Sequence, residues 1–321
     1  MDVLMILLLS RKRLMQQRYL EELLYLRGVY FSAIYCAFNQ MFILILQDSI
    51  GWAVWLLDCE DAAVRGVRIL SDTRIPNSDG LHISACRNVH VSNCTIRCAD
   101  DSIVLRSHQE QLYCPKACEN VTVTSCILMS GAAAIRLGHI NDYMIRNCVF
   151  SNLIVERAAC GLVSIMIGML QKGKKSLDPY RYEGMPEGEI PDVLPLTIEN
   201  IHFQNITANI ETGLFTINIQ GDMHRIKKIS NIVMSDITAS CGTYPVIRNP
   251  HEYPVDNIIL RNATIDIIKE MHNTTSVTWA EFETSFVFNN INDLILDNVR
   301  FRKCHFPFDT EIKLRKKNMI R

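Results

Sequence analysis

The chain has 321 residues, 48% of them hydrophobic, and a formal net charge of −1, so it can bury a long core but has no general attraction for nucleic acid. It carries no basic stripe with interleaved aromatics, and no nucleic-acid partner is expected. Twelve cysteines without an obvious disulfide framework favour a reducing compartment, so a cytoplasmic location is expected, or a secreted one if the amino terminus is incomplete.

Met1 to Leu9 is apolar, with no basic residue ahead of it and Arg11-Lys12-Arg13 behind it, the reverse of a secretory signal peptide. The run is too short for a membrane span, and no membrane partner is expected. Residues 14–40 are predicted to form an amphipathic helix capping the first coil of a repeat array. The alternative is that residues 1–45 are a non-native start.

Repeat-like text begins near Met41 and is plain from Trp52 onward. Asn88-Val89-His90-Val91-Ser92-Asn93-Cys94 aligns with segments beginning at Asn120, Asn200, Asn231 and Asn257, and looser copies begin at Asp61, Asp142 and Asp293. The intervals are 27, 32, 22, 58, 31, 26 and 36 residues, a period that means a solenoid. The interval of 58 leaves room for a degenerate copy around Gly161 to Ile167.

Apolar residues alternate within each copy, as Val89, Val91 and Cys94 do against His90, Ser92 and Asn93, which is strand periodicity with one face buried. Runs end in Asn, Asp, Gly or Ser, so the units are β-coils without helical crossovers. Stacked coils bring equivalent residues to about 4.8 Å. Asn88, Asn120, Asn200, Asn231 and Asn257 are therefore expected to form a side-chain ladder at a turn. Residues 46–306 are assigned to one elongated, monomeric domain and residues 307–321 to a basic tail.

Cys94, Cys126 and Cys148 fall at one repeat position and are expected as buried thiols. Cys114 and Cys118 are spaced for a loop disulfide or a metal pair, yet no His or second Cys pair has zinc spacing, and neither metal nor cofactor is expected.

Two acidic motifs stand in successive repeats: Asn77-Ser78-Asp79-Gly80, then Asp100-Asp101 within Cys98-Ala99-Asp100-Asp101-Ser102. Paired acids one repeat apart suggest glycoside chemistry, in which one protonated carboxyl serves the leaving oxygen while an ionised one activates water. Crowded negative charge raises one pKa into the range of a general acid.

These motifs, the separation of 21 residues from Asp79 to Asp100, and the text from Thr243 to Leu260 resemble the polygalacturonases of glycoside hydrolase family 28. The resemblance covers residues 48–302. It implies an all-β, right-handed parallel β-helix and an inverting hydrolase acting on a pectin-like or related plant carbohydrate. It further implies Asp100 as the acid, with Asp79 and Asp101 holding the water. Asp79 is then expected to lie about 6.5–9.5 Å from Asp100 or Asp101, the inverting range.

Two features of that family are missing. Its Gly-His-Gly imidazole falls on Ala132 or Ala133, and its Arg-Ile-Lys motif on Gly161 to Ile165; the literal Arg225-Ile226-Lys227 is several coils away and is expected as a solvated turn. Asn77, His82 and Arg136 are the candidate substrate-binding residues, with Arg136 the expected grip on a sugar carboxylate. Tyr180, Tyr182, Tyr244 and Arg248 are expected as loop surface, and His108 and His139 as loop residues without ligand spacing.

The alternative function is a non-catalytic or degenerate carbohydrate-binding β-helix lacking these His and Arg-x-Lys groups. Pectate-lyase chemistry needs a calcium-binding carboxylate cluster and a basic proton abstractor. Only Arg106 stands close beyond Asp101, and the lyase reading is set aside.

Overall fold

The computed structural model describes residues 8–9, 31–34, 40–42, 45–49, 51–107, 112, 114–139, 142–167, 194–219, 226–249, 253–268 and 287–302. Every strand pairing among them is parallel, and no helix occurs among them. One ten-stranded sheet stacks Val54–Leu57, Leu81–Ser84, Ile103–Arg106, Ile135–Leu137, Val163–Ile167, Phe215–Ile219 and Val246–Arg248 in chain order. A thirteen-stranded sheet holds the Asn-led repeats. The chain passes between the two once per coil, and the fold is a right-handed parallel β-helix.

The coil turns at two left-handed positions five residues apart, such as Asn200 and Asn205 (φ 57° and 52°) or Asn257 and Asn262 (both φ 50°). Asn tolerates this region better than most residues because its short amide bonds locally. The side chains then bond from coil to coil. Asn120 donates to Asn88 at 3.0 Å, Asn200 to Asn147 at 3.1 Å and Asn231 to Asn200 at 3.0 Å, while Asn88 reaches Asp61 at 2.9 Å.

Asn147 belongs to this ladder, so the fourth copy begins there and not at Asp142. With that shift Cys148 lies beside Val121 and leaves the Cys94–Cys126 column, where the Cys94 N–H meets the Cys126 sulfur. The 53 residues from Asn147 to Asn200 are a single coil, since Asn200 bonds Asn147 directly and Met144–Ala158 pairs with Leu196–Ile210. Gly161 to Ile167 is therefore no extra copy. Val163–Ile167 is the opposite wall of that coil, stacked between Ile135–Leu137 and Phe215–Ile219.

Alternate side chains fill one continuous core from Leu46 to Leu294, with Phe150 stacked on Phe203 at 4.9 Å. Each wholly buried Leu, Ile or Phe contributes about 1.5–3 kcal/mol. The cysteines at these positions are buried free thiols, whereas Cys114 is exposed and free, so Cys114 and Cys118 are not joined.

Phe31–Ile34 is strand, paired in parallel with Val54–Leu57, and Gln40–Phe42 pairs with Glu60–Arg65. Leu8–Leu9 pairs in turn with Phe31–Ile34, so parallel stacking begins ahead of the stretch expected as a helical cap and runs into it, because pairing with the next coil overrides local periodicity. The rest of that cap and the basic tail 307–321 lie outside the described residues. Among the described residues no helix is long and apolar enough to cross a membrane.

Candidate active site

The acids stand where the chain enters the ten-stranded sheet. Leu81 is in register with Ile103 and Ile103 with Ile135, so Asp79, Asp101 and Ala133 occupy one column. The Gly80 N–H donates to the Asp101 carbonyl at 2.9 Å and the Ser102 N–H to the Ala133 carbonyl at 3.0 Å.

Buried serines brace this corner. Ser78 Oγ accepts from the Ala99 N–H at 3.2 Å and so joins the two acidic motifs, while Ser130 Oγ donates to the Asp100 carbonyl at 2.6 Å. Gly80 is needed for space: a Cβ there would lie 2.4 Å from the Ser102 carbonyl oxygen and 2.4 Å from Ile96 Cγ2.

One carboxylate oxygen from each of Asp79, Asp100 and Asp101 lies within 4.8 Å of the others. These are the nearest oxygens of the three groups, and coil stacking holds the Asp79–Asp101 column near the inter-strand distance. Asp79 and Asp101 are each 6% exposed, and Asp100 is more open.

Burial, then the charges of Asp101 and Asp79, push the Asp100 carboxyl up to about 7. Burial and Asp101 drive Asp79 well above the usual carboxylate range. Asp101 has its own supports. The Ala133 N–H donates to its Oδ1 at 2.8 Å, and Arg136 Nη1 lies 3.6 Å from its Oδ2. Three acids so close must share protons or a cation. One guanidinium and one backbone N–H are directed at Asp101, while Asp100, the most open of the three, is the acid placed to exchange a proton near neutrality.

The structure brings together Asp79, Asp100, Asp101, His82 and Arg136 of the six residues singled out from sequence. Arg136 is bound to Asp101 instead of standing open for a sugar carboxylate. His82 is 2% exposed, with Nε2 2.8 Å from Asp79 Oδ2, so it lies behind the acid and out of reach of a sugar. Asn77 is an exposed turn residue with φ 54°.

Tyr244, expected at the surface, is 7% exposed and packs beside Phe301 in the core. Lys227 is exposed within Ile226–Cys241. Tyr180, Tyr182, His108 and Arg225 lie outside the described residues. The His139 N–H donates to Asp142 Oδ2 at 3.1 Å.

Two participants were not found from sequence. Trp52 stacks on the His82 ring at 3.7 Å with the planes 11° apart. It precedes Asp79 by 27 residues, the interval that separates Asp61 from Asn88, and that equality was the available signal. Arg106 makes a two-pronged bond to buried Asp142, at 2.8 and 3.1 Å. No repeat spacing pointed to that pair.

Residues 39–163 match the model of glycosyl hydrolases family 28. A probable polygalacturonase of Vitis vinifera is 30% identical over 86 residues, 27% of this chain and 18% of that protein. One of Arabidopsis thaliana is 29% identical over 65 residues, 20% of this chain and 15% of that protein. The chain thus aligns with under a fifth of the length of these relatives. An exopolygalacturonase structure from Thermotoga maritima superimposes with a TM-score of 0.64 at 16% identity, covering 84% of this chain and 54% of that one, a likeness of fold. All six candidate residues fall within the matched stretch, and over it the chain resembles glycosyl hydrolases family 28.

Proposed function

We propose that this protein hydrolyses glycosidic bonds of a pectin-like or related plant polysaccharide or oligosaccharide. The observation that carries the reading is the cluster of Asp79, Asp100 and Asp101 within 4.8 Å, with the most open acid held protonated up to about pH 7. Asp100 protonates the leaving oxygen, while Asp79 and Asp101 hold the attacking water. Asn77 at the exposed rim contacts the sugar, and Arg136 serves Asp101 first, offering only its remaining N–H groups to an acidic substrate.

The resemblance supports inversion. The alternative, retention, needs carboxyl groups about 5–5.5 Å apart. The anomer first released, read by proton NMR, separates the two.

The function itself is tested by incubating the purified chain with a panel of pectic and other plant oligosaccharides and assaying new reducing ends. New reducing ends that Asp100→Asn abolishes support the proposal. A calcium-dependent, ultraviolet-absorbing product would replace it with lyase chemistry. Binding without cleavage would make the protein a carbohydrate-binding β-helix.

A further inference from the structure

His82 is a side chain closely tied to one of the acids. Its Nε2 lies 2.8 Å from Asp79 Oδ2, and both groups are buried. The ring is clamped flat against Trp52, which meets Trp55 edge-on at 5.5 Å and 85°. Trp55 is in register with His82, and its Nε1–H donates to Ser84 Oγ at 3.1 Å, fixing the wall behind the ring. His82 Nδ1 is buried with no hydrogen-bond partner.

That last fact limits what the imidazole is for. A leucine or phenylalanine would fill the same space against Trp52 without stranding a buried nitrogen. The one thing the imidazole adds is its bond to the acid.

The charges around the ring decide its form. Besides Asp79 itself, Arg106 and Asp101 face it from the next coil, and Arg136 and Asp142 from the one beyond. Burial and Arg106 together hold its pKa well below the ordinary histidine value, so the ring is neutral and carries one N–H. Burial and Asp101 hold Asp79 well above the usual carboxylate range, and once it ionises, above that raised midpoint, a hydrogen on Nε2 serves its Oδ2. Placing it on Nδ1 would bury a donor that nothing accepts.

We propose that His82 is a positioning residue for Asp79: its Nε2–H donates to Asp79 Oδ2, Trp52 fixes the ring plane, and the second carboxylate oxygen is thereby aimed at the reacting water. The catalytic half of this statement rests on the proposed hydrolase function. The pairing itself does not.

The test uses the full chain and two substitutions. His82→Gln keeps an N–H donor at similar reach, and His82→Leu removes it. The wild-type protein, labelled with nitrogen-15 at histidine, should show a His82 ring protonated at Nε2 and bare at Nδ1 above the Asp79 midpoint, in a resonance missing from both variants. A ring protonated at Nδ1 there, or doubly protonated, overturns the pairing.

With a cleavable glycan, His82→Leu should lower kcat by about 10- to 100-fold with KM little changed, as expected when an aligned group is lost. The acidic limb of its rate profile should move up, because Asp79 loses the donor that favours its charge. His82→Gln should recover most of the rate and the profile. Equal losses in both variants without movement of the limb would make His82 merely structural. If His82→Leu does not fold, the tautomer and His82→Gln still decide. If no glycan is cleaved, the proposed function fails while the tautomer still settles the pairing.

Discussion

Ala133 donates its backbone N–H to Asp101 Oδ1 at 2.8 Å from the coil directly after the acids. The imidazole position of the resembling family falls on Ala132 or Ala133, and in this chain that main-chain donor and Arg136, 3.6 Å from Oδ2, hold Asp101. The guanidinium therefore supports the reacting group before it can support a substrate. Arg136→Ala is expected to lower kcat/KM by about 10- to 100-fold, the range for one charge-assisted contact, on acidic and neutral glycosides alike. Parallel kinetics on one substrate of each kind check this. A loss confined to the acidic one would return Arg136 to the role of carboxylate grip.

Asp100 must be protonated to serve as the acid, and its carboxyl is held near 7 by burial and by the charges of Asp101 and Asp79. The turnover rate should therefore fall as pH rises through about 7. Asp100→Asn should lose about 10²- to 10⁴-fold, the contribution of positioned acid catalysis. A profile of kcat against pH on both proteins is the measurement. A flat basic limb in the wild type would remove Asp100 from the role.

The same shift has a cost in stability. Folded Asp100 keeps its proton up to about pH 7, whereas in the unfolded chain it loses it near the ordinary carboxylate value of about 3.9. Between those values the folded state binds more protons, so its stability falls as pH rises. Asp100→Asn escapes this loss. It should be no more stable than wild type at pH 4 but more stable at pH 8, by on the order of 2 kcal/mol for a half-buried carboxyl beside two other acids. Melting curves at the two pH values decide. An equal difference at both would mean that Asp100 is not strained by its charge.

The ladder Asn88, Asn120, Asn200, Asn231 and Asn257 could be read from sequence because a left-handed turn and a stacked amide select the same residue. Asn147 escaped because alternation has a period of two, which leaves strand register open, and the apolar run after Asp142 satisfied it equally well. The acids were legible for the same reason as the ladder, each being fixed to a repeat position. What those acids touch was not. His82 behind Asp79, Trp52 over His82 and Arg136 on Asp101 are contacts between coils, set by which way a side chain leaves its strand and by how deeply the next coil covers it.

Gly80 closes the Asn77-Ser78-Asp79-Gly80 motif for want of room, and this can be tested apart from the acids. A methyl group at that position would sit 2.4 Å from the Ser102 carbonyl oxygen. That oxygen accepts from the Leu81 N–H at 2.9 Å, and the Gly80 N–H donates to the Asp101 carbonyl at 2.9 Å. Ile96 could turn aside, but the backbone oxygen could move only by opening these two bonds between coils. Asp79 and Asp101 flank them, so relief of the clash must shift one acid against the other. Gly80→Ala should cost about 1–3 kcal/mol, as overpacking does, and lower kcat by about 10²-fold, the effect of an ångström of misplacement. Gly51→Ala, one coil earlier where a Cβ meets nothing within 4 Å, is the control and should change neither. If Gly80→Ala melts and turns over like Gly51→Ala, the two coils are not locked together at the acids.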